Sequence, residues 1–171
     1  MEPNYEALER LFMQAVEAHQ ARQTELATRL FKEVLAVEPR FPEPRLELAT
    51  LAVQAGDLEE AEAQAREAIE QLESGWKWLE DFSDEQLMAH ACNLLGEVLK
   101  ARSTSDDVLA QGEAEVRALW SEAGELFARA VELDPDNAEA AANYLGFRRN
   151  RVPSPASSRA SSTVSVKPRR S

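Results

Sequence analysis

The chain is poor in the residues from which catalytic and metal sites are built. It has a single cysteine, Cys92, so neither an intrachain disulfide nor a cysteine-based metal cluster can form. The two histidines, His19 and His90, lie far apart, and neither belongs to an HExxH pattern. The sequence also lacks a glycine-rich loop of the kind that holds phosphates. We therefore predict a protein that is not an enzyme and that uses no cofactor.

Glycine, aromatic residues and long apolar runs are also scarce. The 171 residues include 6 glycines, and aromatic side chains make up 6%. Ala, Glu, Leu, Arg and Gln dominate instead, and because these are strong helix formers we predict one all-α domain. No apolar run is long enough to cross a bilayer. The N-terminal stretch MEPNYEALERLF lacks the basic and apolar regions of a signal peptide. The resulting expectation is a cytoplasmic protein with no membrane partner.

Acidic residues are missing from the last part of the chain. None follows Glu139, whereas seven basic residues do. Residues 1–147 hold all 31 acidic residues against 12 basic ones, so this part should repel nucleic acid. From Val152 onward the sequence is rich in Ser, Pro and Arg, which predicts disorder. Three roles remain open for this segment: contact with an anionic partner, return to the acidic part, or no specific role.

Phenylalanine and proline recur at a fixed separation. Phe31 precedes Pro39 by eight residues, and Phe127 precedes Pro135 by the same number. Each Phe follows an Ala by four positions, and a degenerate copy of this pattern begins at Ala61, 34 residues after the first. Proline lacks an N–H and pushes its predecessor out of helical geometry. Each copy is therefore predicted to be a second helix that proline ends.

A matching first helix precedes each copy. The stretch CNLLGEVL, residues 92–99, follows the pattern W-x2-L-G-x2-Y with conservative replacements, and weaker copies begin at Leu11 and Arg45. Together with the Ala, Phe and Pro positions, this pattern resembles the tetratricopeptide repeat family. The resemblance implies an all-α fold, a short right-handed α-solenoid of about three helix-turn-helix repeats with a capping helix. It also implies an adaptor or scaffold that binds a partner protein, or alternatively a secretion-type chaperone that holds an unfolded apolar client.

The repeats divide the chain unevenly. We predict repeats at about 8–41, 42–75 and 89–137, insertions at about 76–88 and 100–117, a capping helix at 137–149 and a disordered basic segment at 150–171. The second insertion keeps its apolar residues on one face, which predicts a third hairpin about two turns taller than its neighbours. Ser83 and Gln86 form a capping-box signature, and Gly56 with Asp57 predicts the turn inside the second repeat.

The resemblance further implies a concave groove formed by the first helices. Carried over position by position, its lining residues are Phe12, Val16, His19, Leu46, Thr50, Val53, Asn93, Glu97 and Lys100. Family members that clamp the C-terminal carboxylate of a chaperone use Lys, Asn and Arg at such positions, and the mostly apolar set here argues against that partner. A rim formed by Glu9, Glu43 and Glu47 favours an apolar and basic peptide or helix segment. The alternative is that these side chains bury against each other.

The first insertion carries aromatic side chains that the repeat pattern does not require. Trp76, Trp78 and Phe82 all lie in the stretch GWKWLEDF. If they are exposed, they form a secondary binding patch. If they are buried, they plug the gap between the second and third repeats. Cys92 stands where the family has a bulky core residue, which predicts a buried and unreactive thiol.

Overall fold

The chain folds into a row of helical hairpins. The computed structural model describes residues 4–78 and 80–153, and every regular element in these ranges is an α-helix. The helices are α1 Tyr5–Gln20, α2 Thr24–Val37, α3 Pro42–Ala55, α4 Leu58–Glu73, α5 Asp84–Arg102, α6 Asp106–Gln111, α7 Glu113–Leu133 and α8 Ala138–Arg149. The main pairs are α1 with α2, α3 with α4 and α5 with α7, and α8 packs on α7. The prediction of an all-α fold in the form of a short helical solenoid is confirmed.

The helix ends follow from local sequence. α2 ends at Val37 and α7 ends at Leu133, each two residues before a proline. Gly56 ends α3 in the left-handed conformation, with φ of 77°, which glycine adopts without steric cost. The next residue, Asp57, caps α4 by accepting a hydrogen bond from the backbone N–H of Glu60 at 3.1 Å. The turn predicted at this position is therefore present.

The two recurring phenylalanines lie between successive hairpins. Phe31 is fully buried, and its ring centroid lies 5.6 Å from that of Phe12 in a core cluster that also contains Leu48 of α3. Phe127 is buried to the same degree, and its ring lies 5.5 Å from Phe147 of α8. Each ring therefore contacts its own hairpin and the element that follows it. This packing explains why a large apolar residue recurs at this position.

The third hairpin is longer than the second, although less regular than the sequence predicts. α5 and α7 have 19 and 21 residues, against 14 and 16 in α3 and α4. Each helix therefore gains just over one turn. The six-residue helix α6 accommodates the rest of the insertion, and it ends at Gly112, whose φ of 117° breaks the helical path. Val108 and Val116, on either side of this break, are fully buried.

Ion pairs connect α4 to the third hairpin. The guanidinium of Arg66 contacts both carboxylate oxygens of Glu122 in α7, at 2.6 and 2.9 Å. This bidentate contact lowers the pKa of Glu122 and raises that of Arg66. Between the same two hairpins, both terminal nitrogens of Arg129 donate to one carboxylate oxygen of Glu73, each at 3.0 Å. These partly exposed pairs fix which helix faces meet more than they stabilise the fold.

Candidate binding site on the first-helix face

One cavity of about 330 Å³ opens on the face formed by α1, α3, α5 and α8, which we call the first-helix face. His19 of α1 contacts Glu47 of α3, α3 contacts α5, and α5 contacts α8, so these helices form one continuous surface. The cavity is lined by Phe12, Glu43, Leu46, Glu47, Phe82, Gln86, Leu87, His90, Asp134 and Asn137. Among these described lining residues, none comes from α2 or α4. The cavity therefore belongs to the surface that the first helices share.

Apolar side chains from three parts of the chain form the inner part of the cavity. Phe12 of α1, Leu46 of α3 and Leu87 of α5 are each less than 9% exposed. Phe82, in the connection between α4 and α5, lies at the edge and is 52% exposed. A large apolar side chain that is half exposed beside a cavity can be covered by a ligand at little cost.

The polar lining of the cavity is acidic. Glu47 and Asp134 line it, and neither lysine nor arginine is among its described lining residues. Glu47 also accepts a hydrogen bond from Nδ1 of His19 at 2.8 Å, which connects α3 to α1. Glu43 is buried and accepts a hydrogen bond from the backbone N–H of Trp78 at 2.8 Å. The site therefore presents negative charge beside apolar surface.

The connection between α4 and α5 lies over the first two hairpins. The ring of Trp78 stacks on Phe41 with centroids 4.4 Å apart and planes inclined by 8°. Its edge also meets Phe12, with centroids 5.3 Å apart. Trp78 thus packs against the core of the first hairpin. Trp76 lies elsewhere, under the guanidinium of Arg40 at 3.8 Å from the ring centroid.

The groove residues predicted on α1 and α3 have different surroundings. Phe12 and Leu46 are buried and contribute to the cavity wall. Val16 is half-buried against the core of the first hairpin, and Val53 is exposed. The hydroxyl of Thr50 donates to the carbonyl of Leu46 at 3.0 Å, within its own helix. His19, bound to Glu47, lines a separate depression with Gln54.

The groove residues predicted on α5 are held by α8. The side-chain amide of Asn143 donates to Oδ1 of Asn93 at 3.1 Å and to Oε1 of Glu97 at 2.9 Å. Burial raises the pKa of Glu97, and the bond from Asn143 offsets part of that increase. Lys100 is half-buried on the same helix. Asn93 and Glu97 therefore join α5 to the last helix.

Other cavity residues were not among the predicted groove positions. Gln86, Leu87 and His90 lie one to two turns before Asn93 on α5. α5 begins at Asp84, inside the segment predicted as an insertion, so the helix starts earlier than the predicted third repeat. The sequence did indicate this helix start, through the capping-box pattern of Ser83 and Gln86. Both hydrogen bonds of that capping box are present in the structure. With the helix start placed at Ser83, the helical periodicity of α5 assigns Gln86, Leu87 and His90 to the first-helix face.

The remaining reactive groups lie away from the cavity. Cys92 is fully buried, and burial raises the pKa of its thiol to about 11.

Within residues 4–78 and 80–153, no group of three or more His, Cys, Asp or Glu side chains could hold a metal ion. In the same ranges, no helix combines the length and apolar character required to cross a membrane. The predicted disordered segment falls mainly on residues 154–171, which lie outside the described residues.

Comparisons with known proteins point to one fold family. Residues 18–74 match the tetratricopeptide repeat family model, whereas comparison with curated protein sequences finds no significant match. The Arabidopsis OM64 TPR domain superposes with a TM-score of 0.64 at 15% identity, over 87% of this chain and 100% of that domain.

Two further solved structures have a similar fold. The first TPR of Spaghetti (RPAP3), bound to the HSP90 peptide SRMEEVD, gives a TM-score of 0.60 at 14% identity, over 83% of this chain and 90% of that one. The first TPR domain of human RPAP3 gives 0.59 at 13% identity, over 91% and 97%. At such identities the likeness concerns the fold. The family match over residues 18–74 and the likeness in fold agree with the resemblance to tetratricopeptide repeat proteins.

Proposed function

We propose that the helical part, residues 1–149, is a non-enzymatic scaffold that binds a peptide segment of a partner protein on the first-helix face. The observation that carries this proposal is the cavity itself, whose walls come from α1, α3, α5 and the connections before α5 and α8. A ligand seated there would contact several repeats at once. The conformation of the cavity is set by helix packing, so little ordering of the protein is required on binding.

The size of the cavity favours a linear segment. Its volume of about 330 Å³ is near the lower end of the range of roughly 300–1,000 Å³ in which small ligands bind. A few side chains of an extended or helical peptide fit such a volume, and a folded domain does not. Phe82 at the edge supplies apolar surface that the rest of the peptide can cover.

The charge of the cavity favours a partner that is both apolar and basic. Glu47 and Asp134 lie beside the apolar wall, and the described lining has no lysine or arginine. The peptide in one of the similar structures, SRMEEVD, carries three acidic residues. An acidic peptide of that kind would meet like charge here, which costs binding energy. We therefore propose that this cavity binds basic peptides and not acidic ones.

The test is selection of short linear peptides from a displayed random library on the full-length protein. We expect enriched peptides to combine aliphatic or aromatic residues with Lys or Arg. Glu47→Lys should weaken the selected peptides about tenfold or more, which corresponds to about 1.4 kcal/mol.

Glu33→Lys is the matched control, because it makes the same charge change on an exposed position of α2 and should leave affinity unchanged. Failure to enrich any peptide would contradict the proposal. Equal weakening by both variants would show that net charge, and not the cavity, governs binding.

A further inference from the structure

We propose that residues 154–171 of the chain itself bind in the cavity of the first-helix face and compete there with the partner peptide. This inference rests on the proposed function, because it assigns a competing ligand to the same site. Its first support is charge. The segment has four basic residues and no acidic one, whereas the described lining of the cavity is acidic.

The order of residues in the segment matches the two parts of the cavity. Val164 and Val166 alternate with Ser165 and precede Lys167-Pro168-Arg169. In an extended segment, residues two apart share a face, so two valines at this spacing would point to one side in that conformation. The residue before a proline is driven to extended geometry, which favours that conformation at Lys167. An extended segment here would present two valines to the apolar wall and its cations to Glu47 and Asp134.

The length of the intervening chain fits the distance to be crossed. Asn137, the N-cap of α8, lines the cavity, and α8 has 12 residues, so its other end lies about 18 Å away. Val164 follows Arg149 by fifteen positions. A chain of that length without fixed structure has an average end-to-end distance of about 20 Å. The segment can therefore reach the cavity without being stretched.

Attachment to the same chain makes weak binding sufficient. A short connecting chain gives the segment an effective concentration on the order of a millimolar at the site. Contacts between opposite charges within the cavity are also shorter than the screening length of about 8 Å at physiological salt. A partner peptide would have to displace the segment, so its apparent affinity for the full-length chain would be lower than for the cavity alone.

The test places a nitroxide label on the full-length variant Ser161→Cys and measures broadening of backbone amide signals by NMR. The native thiol, Cys92, is fully buried and does not compete for the label. We expect broadening at Glu47, His90 and Asn137, and none at Glu33 on the exposed side of α2. The broadening should persist when the protein that carries the nitroxide is diluted into protein without the nitroxide, because the contact lies within one chain.

Two charge variants separate docking from general attraction. Replacing Lys167, Arg169 and Arg170 by Glu should abolish the broadening at the cavity. The control replaces three basic residues at the end of α8 and just after it, Arg148, Arg149 and Arg151, by Glu, which changes the net charge equally and should leave the broadening in place.

Equal loss in both variants, broadening on both faces, or no broadening in the parent would overturn the inference. Such a result would leave the peptide selection described above untouched. Conversely, a docked segment with no selectable external peptide would contradict the proposed function alone.

Discussion

Gly96 and Gly146 both lie within helices but differ in what surrounds them. A Cβ built on Gly96 would lie 2.9 Å from Cε1 and 3.0 Å from Cδ1 of Phe127, whereas one built on Gly146 would meet nothing within 4 Å. Phe127 is 1% exposed, and its ring also contacts Phe147 with centroids 5.5 Å apart, so a shift of the ring would disturb other packed side chains. Gly96→Ala therefore forces overpacking, which typically costs about 1–3 kcal/mol.

Helix propensity acts on both positions in the opposite direction. Alanine is favoured over glycine in a helix interior by about 0.8–1.0 kcal/mol. Gly146→Ala should therefore stabilise the protein by about 0.5–1 kcal/mol. Gly96→Ala should lose about 0–2 kcal/mol once the propensity gain is subtracted. The difference between the two variants, about 1–3 kcal/mol, isolates the contact with Phe127.

Urea denaturation followed by circular dichroism measures both free energies of unfolding. Gly124→Ala is a second test of the same principle, because a Cβ there would lie 2.7 Å from Cε1 of Phe147. It should resemble Gly96→Ala. If Gly96→Ala proves as stabilising as Gly146→Ala, the ring of Phe127 does not lie against α5, and the packing described for the third hairpin is wrong.

Three further predictions follow from burial. Phe127→Ala should lower the free energy of unfolding by about 3–5 kcal/mol through loss of packing and a cavity, and an unchanged urea midpoint would contradict the role of this ring between hairpins. Cys92, whose thiol pKa is raised to about 11 by burial, should resist alkylation at neutral pH until urea unfolds the protein, and rapid labelling of the native state would refute its burial. Burial raises the pKa of Glu97, so ionisation of this carboxyl opposes folding at any pH above the pKa it has in the unfolded chain. Glu97→Gln should therefore be more stable than the parent at neutral pH. This advantage should disappear near pH 4, as the carboxyl becomes protonated in both the folded and the unfolded state. Glu97→Gln keeps an acceptor for Asn143, and lower stability at neutral pH would show that the ionised form is required.

The helix ends were predictable because they depend on local chemistry. The prolines after α2 and α7, the left-handed Gly56 and the capping box at Ser83 each act on neighbouring backbone groups. The repeated Ala and Phe positions were predictable for a related reason. Phe31 and Phe127 occupy equivalent places between hairpins, so the same packing constraint appears twice in the sequence.

The candidate site was only partly predictable, because its lining depends on contacts between distant segments. Phe12 and Leu46 were assigned to the groove and do line the cavity, but Asn93 and Glu97 are held by Asn143 of α8. Nothing in the local sequence of α5 indicates that partner. The break at Gly112 is similar, since the apolar periodicity continues across it. Contacts between distant segments, and not local sequence, determine both the bonds from Asn143 and the helix break at Gly112.

The position of Trp78 determines which part of the first-helix face is open. In a regular solenoid, a groove on this face would begin at the first helix. Here the ring of Trp78 stacks on Phe41 and covers Phe12, and its backbone N–H is held by Glu43. Part of the surface beside α1 and α3 is therefore occupied by the protein's own insertion, and the cavity extends from Phe12 and Leu46 towards α5 and the N-terminus of α8. An insertion that departs from the repeat pattern thus shapes the cavity that we propose as the binding site, and positions carried over from the regular repeat coincide with that cavity only in part.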